Sequence, residues 1–516
     1  MLKKYWNELT IASVFTLGVV CSFLIFHPFK QNLDANDSAD PSIQKLQIDI
    51  NNLVENYEQY GYRFGIKICS TDDNQILFAK NENEPFVPAS NLKLMPSAVA
   101  LENLGDDYRW ETKFYANGKI QNQTLYGDLI LKAEGDPTLS SRFLNKEPQS
   151  LFKIWADKLK KIGICSIKGN LIIDNSAFSD SNIGQGWKDV YEQAYYASLP
   201  SAFSINENCV RITVKGSSRS GYGTTVNVFP SKGDVKIVNS SVTSKRSREY
   251  LSINRANDSN TYYIRGSIPR NKLVGRIINL SQPVEYASKV LSDAFDNSNL
   301  KIEGDLKISN AALDYSGANL VYTYESFPLN DVLIKTNKHS NNYLANQIYL
   351  TLGYKIKNNS AQSEQVIHDF FNLINVDSEY LKIDDGSGLS PLNITTPNQF
   401  SEILLHMSHS ENFNAFYNSF PVAGVDGTLK GVMHFEPLYK NVRGKTGTID
   451  NVKSLCGYIH SKDNELLTFT ILVNYSDATR SKLYQFNNEL LVILGNFSRN
   501  TNAYQVSLPS DSIKIN

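Results

Sequence analysis

Cysteine is scarce in this 516-residue chain, and its spacing predicts no metal centre. The chain has no Cys-x-x-Cys pair and no His/Cys cluster at zinc spacing. We therefore predict neither a metal ion nor a cofactor. The scattered positions assign no pairings, so the redox state of the thiols stays open. The five cysteines are Cys21, Cys69, Cys165, Cys209 and Cys456.

The chain as a whole also lacks an excess of charge of either sign. Its 51 lysines and arginines balance 52 aspartates and glutamates, which gives a net charge of -1 and a pI near 6.7. Binding along a phosphate backbone needs a concentrated basic face, so we expect no nucleic-acid partner. A hydrophobic content of 41% describes an ordered globular protein. The length predicts roughly three to four domains.

Long hydrophobic runs are rare, and the one that stands out lies at the N-terminus, over residues 11–26. It follows Lys3 and Lys4, and a charged start before an apolar core is typical of an export signal. The run is short for a membrane-spanning helix, and no clear Ala-x-Ala-like cleavage site follows it. For residues 1–30 a cleaved signal and an uncleaved inner-membrane anchor both stay open. With either a signal or an anchor, we expect the residues that follow the linker at 31–41 to lie outside the cytoplasm, in the periplasm.

Both ends of the remaining chain predict one α+β architecture. Residues 42–60 carry apolar side chains at helical spacing, and an almost wholly apolar, buried helix follows Lys93. Strand-like pairs joined by polar turns lie at 62–69 with 75–79 and at 453–460 with 466–474, and a helix over 479–497 closes the chain. These elements predict an antiparallel sheet with helices on its faces.

The sequence pattern in the middle of the chain predicts inserted domains. Residues 109–316 contain short β-rich runs, for example at 127–131, 210–214 and 224–228, separated by polar turn clusters. We expect one domain, made of residues 42–108 and 317–516, to be split by β-rich material at 109–316, most simply two small domains.

The rarest motif of the chain is Lys445-Thr446-Gly447-Thr448. Roughly a tenth of a chance Lys-Thr-Gly is expected in such a chain, and the string occurs once. The residues that follow predict an edge strand, which allows the motif to line a cleft. A glycine at Gly447 removes a side chain that would block a peptide lying against that strand.

Ser-x-x-Lys is much commoner, and its context has to select the functional copy. About three chance matches are expected, and four occur, at Ser42, Ser90, Ser150 and Ser298. Ser298 precedes a strand-like run that would place its lysine on the opposite face. Ser90 opens the apolar helix, where Lys93, three residues on, shares its face. The ordinary alternative for Ser90 is a helix N-cap.

Ser340-Asn341-Asn342 is a weak motif that gains weight from its position. It follows a helical segment at 329–338 and precedes another that begins near Tyr343. The junction between two helices can present polar side chains. Taken alone, an Asn-rich turn is the simpler interpretation.

The three motifs, in this order, resemble the penicillin-binding protein 4 type of D-alanyl-D-alanine carboxypeptidase and endopeptidase. In that family a β-lactamase/transpeptidase-like domain is split by inserted domains between the first and second motifs. The long gap between Ser90 and Ser340 in this chain resembles the insertion between the first and second motifs of that family. Further similar segments are residues 135–139 (GDPTL), 201–208 (SAFSINEN), 385–390 (DGSGLS) and 421–429 (PVAGVDGTL).

The resemblance implies an acyl-transfer mechanism. Ser90 is then the nucleophile that attacks the D-Ala-D-Ala bond of a peptidoglycan stem peptide, and Lys93 its general base. Ser340 relays a proton to the leaving group, and Asn342 orients the substrate. β-Lactam antibiotics are the implied covalent inhibitors.

The resemblance also implies a carboxylate pocket and an oxyanion hole. Lys445, with the hydroxyls of Thr446 and Thr448, holds the terminal carboxylate of the substrate and helps to lower the pKa of Lys93. The backbone amides of Ser90 and Thr448 form the oxyanion hole. The glycine-containing segments at 385–390 and 426–428 are interpreted as tight turns, without a catalytic role.

Two alternatives stay open from the sequence. One is a β-lactamase or esterase on the same fold, although the long insertion and the lack of a Glu-x-x-x-Asn segment between Tyr343 and Phe400 disfavour it. The other is a non-catalytic cell-wall-binding protein, which the complete set of reactive residues disfavours. Endopeptidase action on cross-links and the oligomeric state are not fixed by the sequence.

Overall fold

The structure, a computed structural model, describes residues 40–179, 181, 183–475 and 480–500. Its α-helices are α1 Pro41–Glu58, α2 Leu94–Leu104, α3 Ser141–Leu144, α4 Pro148–Lys161, α5 Pro283–Asp296, α6 Leu329–Lys338, α7 Asn342–Lys357, α8 Ser363–Leu373, α9 Pro397–Ser408, α10 Phe413–Ser419 and α11 Arg480–Asn496. Its 3-10 helices are Ala89–Lys93, Ser176–Phe178, Asp189–Tyr191, Tyr195–Ala197, Asn206–Asn208, Ser360–Gln362 and Gly427–Leu429.

The strands, in chain order, belong to several sheets. They are β1 Tyr62–Ser70, β2 Ile76–Lys80, β3 Glu111–Gln121, β4 Thr124–Ala133, β5 Ser166–Ile167, β6 Leu171–Asp174, β7 Cys209–Lys215, β8 Thr225–Phe229, β9 Lys236–Asn239, β10 Val242–Ser244, β11 Tyr250–Arg255, β12 Thr261–Pro269, β13 Leu273–Asn279, β14 Lys301–Ile302, β15 Leu306–Ser309, β16 Asn319–Glu325, β17 Arg443–Ile449, β18 Val452–His460 and β19 Leu466–Tyr475.

One antiparallel sheet joins residues that are far apart in the sequence. Its order is β17-β18-β19-β1-β2, and β1 pairs with β19 from Tyr62 opposite Tyr475 to Ser70 opposite Leu467. Successive side chains of a strand point to opposite faces. Leu455 of β18 therefore packs in the core that contains α1 and α11, and Cys456 packs in the core that contains α2 and α9. The sheet is thus covered by helices on both faces.

This arrangement confirms the predicted α+β class. The first helix spans Pro41–Glu58 against the predicted 42–60, and both predicted hairpins form, as β1 with β2 and β18 with β19. The closing helix is Arg480–Asn496, and residue 479 of the predicted helix lies outside the described residues.

The middle of the chain forms three further sheets. β3, β4, β5, β6, β14, β15 and β16 make a seven-stranded sheet, whereas the strands from β7 to β13 make a three-stranded and a four-stranded sheet. The three β-rich runs predicted at 127–131, 210–214 and 224–228 lie in β4, β7 and β8. The division of this material into domains stays a prediction.

The predicted export signal at 1–30, with Cys21, lies outside the described residues, as does the linker up to residue 39. Among the residues that are described, no helix combines the length and the hydropathy needed to cross a bilayer.

The four cysteines within the described ranges are free thiols. Cys69, Cys209 and Cys456 are buried, and burial raises the pKa of Cys69 to about 11 and that of Cys456 to about 12. A buried thiol that stays protonated is a poor nucleophile. Cys69, Cys209 and Cys456 are therefore poor candidates for nucleophilic chemistry.

Candidate active site

Ser90 and Lys93 lie together in the 3-10 helix Ala89–Lys93, which continues into α2. The sequence predicts an α-helix at this point. In a 3-10 helix, side chains three residues apart eclipse each other, so the tighter turn aligns the pair better than an α-helix would. Lys93 Nζ lies 2.9 Å from Ser90 Oγ. Ser90 is partly exposed, as a nucleophile has to be, whereas Lys93 is fully buried.

Burial gives Lys93 the properties of a base. Its amine donates to Asn342 Oδ1 over 2.7 Å and to the carbonyl of Ser387 over 2.5 Å. Burial lowers the pKa of Lys93 to about 7, against the opposing influence of the Asp385 carboxylate. Above that pH the amine is neutral and can accept the proton of the Ser90 hydroxyl.

Ser340 and Asn342 sit at the predicted helix junction. Ser340 follows α6 with a left-handed backbone (φ 51°), and Asn342 is the first residue of α7. The Asn342 amide is held at both ends, because Oδ1 accepts from Lys93 and Nδ2 donates to the carbonyl of Tyr196 over 2.8 Å. Asn342 of the second motif is thus hydrogen-bonded to Lys93 of the first motif.

Asn341, the middle residue of the second motif, has a structural role. Its Oδ1 accepts from the backbone of Leu344 over 2.9 Å and caps α7, and its Nδ2 donates to Glu207 over 2.8 Å. Glu207 is also paired with Arg142. An aspartate at position 341 could not donate to Glu207 and would repel it, which explains the asparagine.

Lys445 lies on β17, the edge strand of the sheet. Beyond Arg443, no strand within the described ranges pairs with the outer side of β17. The predicted edge position of the motif is therefore confirmed, although Val452 and the residues after it form the next strand, β18. Lys445 is fully buried, and its Nζ donates to Ser340 Oγ over 2.8 Å and to the carbonyl of Thr446 over 2.7 Å.

The pKa values of the two buried lysines are not shifted in the way that we expected, with Lys445 lowering the pKa of Lys93. Burial, not the charge of Lys445, is the main cause of the lowered pKa of Lys93. The repulsion acts at Lys445, where burial first and the charge of Lys93 second hold the pKa well below its usual range. A carboxylate that entered beside Lys445 would restore its ammonium form.

The reason given above for Gly447 is wrong. A Cβ at Gly447 would point into the protein, 2.1 Å from Ser454 Oγ, 2.9 Å from the carbonyl of Pro88 and 3.0 Å from Ser90 N. The glycine therefore allows β17 to pack directly against the turn that carries Ser90. It brings the strand and the backbone amide of Ser90 together.

The two threonines of the motif have other partners in the free protein. Thr446 Oγ1 donates to Thr428 Oγ1 over 2.8 Å. Thr448 is exposed, and its hydroxyl donates to the carbonyl of Gly447 over 2.7 Å while it accepts from Lys453 over 3.2 Å. Neither hydroxyl is hydrogen-bonded to the amine of Lys445.

The loop after α8 supports Lys93, a role that was not predicted for it from the sequence. Asp385 is fully buried and accepts from the amides of Ser387 and Gly388 over 2.8 and 2.6 Å. The loop so formed presents the Ser387 carbonyl to Lys93. Gly388 adopts φ +75° and packs on Ala89, where a Cβ would lie 1.9 Å from the carbonyl oxygen. An Asp-Gly-Ser-Gly string is the available signal for such a loop.

The β-rich middle of the chain also reaches the site. Trp187 Nε1 donates to Asp385 over 2.6 Å, and Tyr196 accepts from Asn342. No residue of this region is among the predicted site residues. Backbone carbonyls and a single indole carry no sequence signature, so these contacts could not be predicted.

The lysines of the other Ser-x-x-Lys copies are exposed, unlike Lys93. Ser298 lies in a turn after α5, not on a strand, and its hydroxyl donates to the carbonyl of Ala294 over 2.7 Å. Its lysine, Lys301, is exposed on β14. Ser42 on α1 and Ser150 on α4 are likewise followed by exposed lysines. Within the described ranges, no three His, Cys, Asp or Glu side chains gather as a metal site.

Comparisons with known proteins point in one direction. The family model for the D-Ala-D-Ala carboxypeptidase 3 (S13) family matches residues 46–490. The D-alanyl-D-alanine carboxypeptidase DacB of Haemophilus influenzae is 26% identical over 461 residues, covering 86% of this chain and 93% of that protein. A D-alanyl-D-alanine carboxypeptidase of an Actinomadura species is 25% identical, covering 85% of this chain and 82% of that protein.

Solved structures agree with this. The crystal structure of penicillin-binding protein 4 from Haemophilus influenzae has a TM-score of 0.74 and 26% identity, covering 86% of this chain and all of that chain. The same protein in complex with a β-lactam has a TM-score of 0.70 and 25% identity, covering 85% and 98% of the two chains.

Proposed function

The chain belongs to the D-Ala-D-Ala carboxypeptidase 3 (S13) family of serine peptidases, and from this premise we propose that Ser90 carries its reaction. The enzyme is a D-Ala-D-Ala carboxypeptidase that binds penicillin. Its substrates are the stem peptides of peptidoglycan, and β-lactams are covalent inhibitors. The observation that carries the assignment of Ser90 is its 2.9 Å contact with the buried amine of Lys93, whose pKa is lowered to about 7.

Acylation begins with transfer of the Ser90 hydroxyl proton to the neutral amine of Lys93. Ser90 Oγ then attacks the carbonyl carbon of the penultimate D-alanine, and the negative charge develops on the carbonyl oxygen. The amides of Ser90 and Thr448 would stabilise that oxygen. The close packing at Gly447 supports this pairing, because it sets β17 against the turn of Ser90.

Collapse of the tetrahedral intermediate breaks the C–N bond and needs a proton on the leaving nitrogen. Ser340 is suited to deliver it, because its hydroxyl lies 2.8 Å from Lys445 Nζ. D-Alanine leaves, and Ser90 holds the peptide as an ester. Water then attacks the ester carbonyl and one of its protons replaces the proton that Ser340 gave up. As the ester bond breaks, Lys93 returns its proton to Ser90 Oγ and restores the serine.

Lys445, Thr446 and Thr448 form the proposed pocket for the terminal carboxylate. A carboxylate near the buried amine favours the ammonium form of Lys445, whose pKa is low in the free protein. The threonine hydroxyls would exchange their present partners for the carboxylate. If a cross-bridge takes the place of the terminal D-alanine, the same steps make the enzyme an endopeptidase, which we keep as a proposal.

Peptidoglycan lies outside the cytoplasm, and so does the reaction. Export to the periplasm through residues 1–30, with or without retention of that segment as an inner-membrane anchor, is the route we propose. The charged start and apolar run of the sequence support it.

Release of D-alanine tests the activity directly. We expect the purified protein to release one D-alanine from each stem pentapeptide that ends in D-Ala-D-Ala, and to leave a peptide that ends in L-alanine uncut. Prior incubation with benzylpenicillin should abolish the release. Rapid hydrolysis of nitrocefin without D-alanine release would instead identify a β-lactamase, and the lack of both activities a non-catalytic binding protein.

The pH dependence of acylation should report Lys93. Because its pKa is lowered to about 7, the amine is protonated and inactive below that value and free to act above it. We expect the second-order rate constant for acylation by benzylpenicillin to rise through about pH 7 and then to level off. Stopped-flow measurements between pH 5 and pH 9 provide the profile. A rate that is flat across this range would contradict the role of Lys93 as the base.

A further inference from the structure

The balanced charge of the whole chain does not exclude a basic face, because one segment is strongly basic. Residues 209–279 contain 13 lysines and arginines against 3 aspartates and glutamates, a net charge of +10. The remainder of the chain carries 38 against 49, a net charge of -11. Such asymmetry within one chain is typical of a surface that binds a polyanion.

Most of these cations are free to act on a ligand. Lys272 and Arg276 pair with Glu249, and Arg255 pairs with Glu192. The other ten are exposed, and none forms an ion pair with another residue in the described ranges. They are Arg211, Lys215, Arg219, Lys232, Lys236, Lys245, Arg246, Arg248, Arg265 and Arg270.

Two tyrosines lie among these cations on the outer face of the four-stranded sheet. Tyr250 of β11 is 57% exposed and Tyr263 of β12 is 37% exposed, whereas the neighbouring Tyr262 is buried on the opposite face. The guanidinium of Arg246 lies 5.4 Å from the ring centre of Tyr250, and that of Arg265 lies 5.7 Å from the ring centre of Tyr263. A guanidinium thus lies over one face of each ring, while the rings stay partly exposed to a ligand.

This face carries a shallow, open recess of about 510 Å³ beside Tyr250, lined by Ser252, Arg265, Arg276 and the carboxylate of Glu249, among others. Most of its lining residues are charged or polar, which suits a polar polymer, whereas binding to a bilayer needs a broad apolar face. We call the outer sheet surface with Lys236, Arg246, Tyr250, Tyr263 and Arg265 the basic tyrosine face.

We propose that the basic tyrosine face binds the peptidoglycan polymer at a site separate from the catalytic cleft. The arginines and lysines pair with the carboxylates of stem peptides, and the tyrosine rings pack against the apolar faces of the sugar rings. The enzyme is thereby held on an insoluble substrate while the cleft at Ser90 acts on individual peptides. The inference rests on the proposed function, which supplies the polymer.

Co-sedimentation with purified, protein-free sacculi tests the proposal, with benzylpenicillin present throughout to block the cleft. The test variant carries Lys236→Gln, Arg246→Gln and Arg265→Gln, the three cations of the face. We expect it to bind sacculi on the order of tenfold more weakly than the unchanged protein at low salt, with the difference shrinking as salt screens the charges. A second variant, Tyr250→Ala with Tyr263→Ala, should also lose binding, at every salt concentration.

A matched control removes the same number of charges elsewhere. Lys146, Lys153 and Lys307 are exposed and lie outside the basic segment, and their replacement by glutamine should leave sedimentation unchanged. All variants should be labelled by fluorescent penicillin at the rate of the unchanged protein, so failure of the surface is separable from failure of the active site. Equal sedimentation of the test and control variants would overturn the proposal. So would binding to phosphatidylglycerol vesicles without binding to sacculi.

Discussion

Replacing Ser90 by alanine is expected to abolish both D-alanine release and penicillin labelling. The substitution removes one hydroxyl from the 3-10 helix and leaves the buried amine of Lys93 with its partners at Asn342 and Ser387. Loss of a catalytic serine costs on the order of 10⁶-fold where it has been measured in serine proteases, so labelling should fall below detection. Gel fluorescence with a labelled penicillin, together with a D-alanine assay, provides the measurement.

Ser298 offers a matched control for Ser90. It begins an identical tetrapeptide, Ser-Asn-Leu-Lys, but its hydroxyl is bonded to the carbonyl of Ala294 and its lysine is exposed. Ser298→Ala should be labelled at the rate of the unchanged protein. Labelling that persists in Ser90→Ala and disappears in Ser298→Ala would reverse the assignment of the two copies.

Replacing Lys93 by methionine is expected to cost about 10³- to 10⁴-fold in the acylation rate, the range that general acid–base catalysis contributes. Methionine fills a similar volume but cannot accept the proton of Ser90. The protein should stay folded, because the substitution also removes a buried amine that burial disfavours in its charged form. The rise of acylation through about pH 7 should vanish with the side chain. Stopped-flow acylation and thermal unfolding of the same samples separate the two effects.

Lys67 provides the contrasting variant. It is also a buried lysine, on β1, and its amine is 2.6 Å from both Asn398 and Glu402. Lys67→Met breaks that ion pair, so it should lower the unfolding midpoint while acylation stays within a few-fold. A Lys93→Met protein that acylates within tenfold of the unchanged rate would remove Lys93 from the mechanism.

The sequence was sufficient to predict the parts of the site that lie on regular elements. Ser90 and Lys93 are separated by one helical turn, and Lys445 lies on a strand of alternating pattern, so local periodicity places each side chain. Ser340 and Asn342 were predictable because two helical patterns meet there. Local context and the family resemblance then distinguished these copies of the motifs from the chance matches elsewhere in the chain.

The residues that position these side chains could not be predicted in the same way. Asp385 acts by folding its loop around its own carboxylate, and Ser387 and Tyr196 contribute carbonyl oxygens that every residue possesses. The role of Gly447 depends on how closely the strand approaches Ser90, a distance between elements that local pattern does not contain. The low pKa of Lys93 could not be predicted either, because its main cause is burial, and burial depends on how the elements pack.

The most direct test of the account is to locate the penicilloyl group on the unchanged protein. The protein is acylated with benzylpenicillin, digested and analysed by tandem mass spectrometry. We expect a single adduct, with one penicilloyl group per chain, on the peptide that contains Ser90. An adduct on the peptide of Ser298 or Ser340, or no covalent adduct at all, would contradict the account.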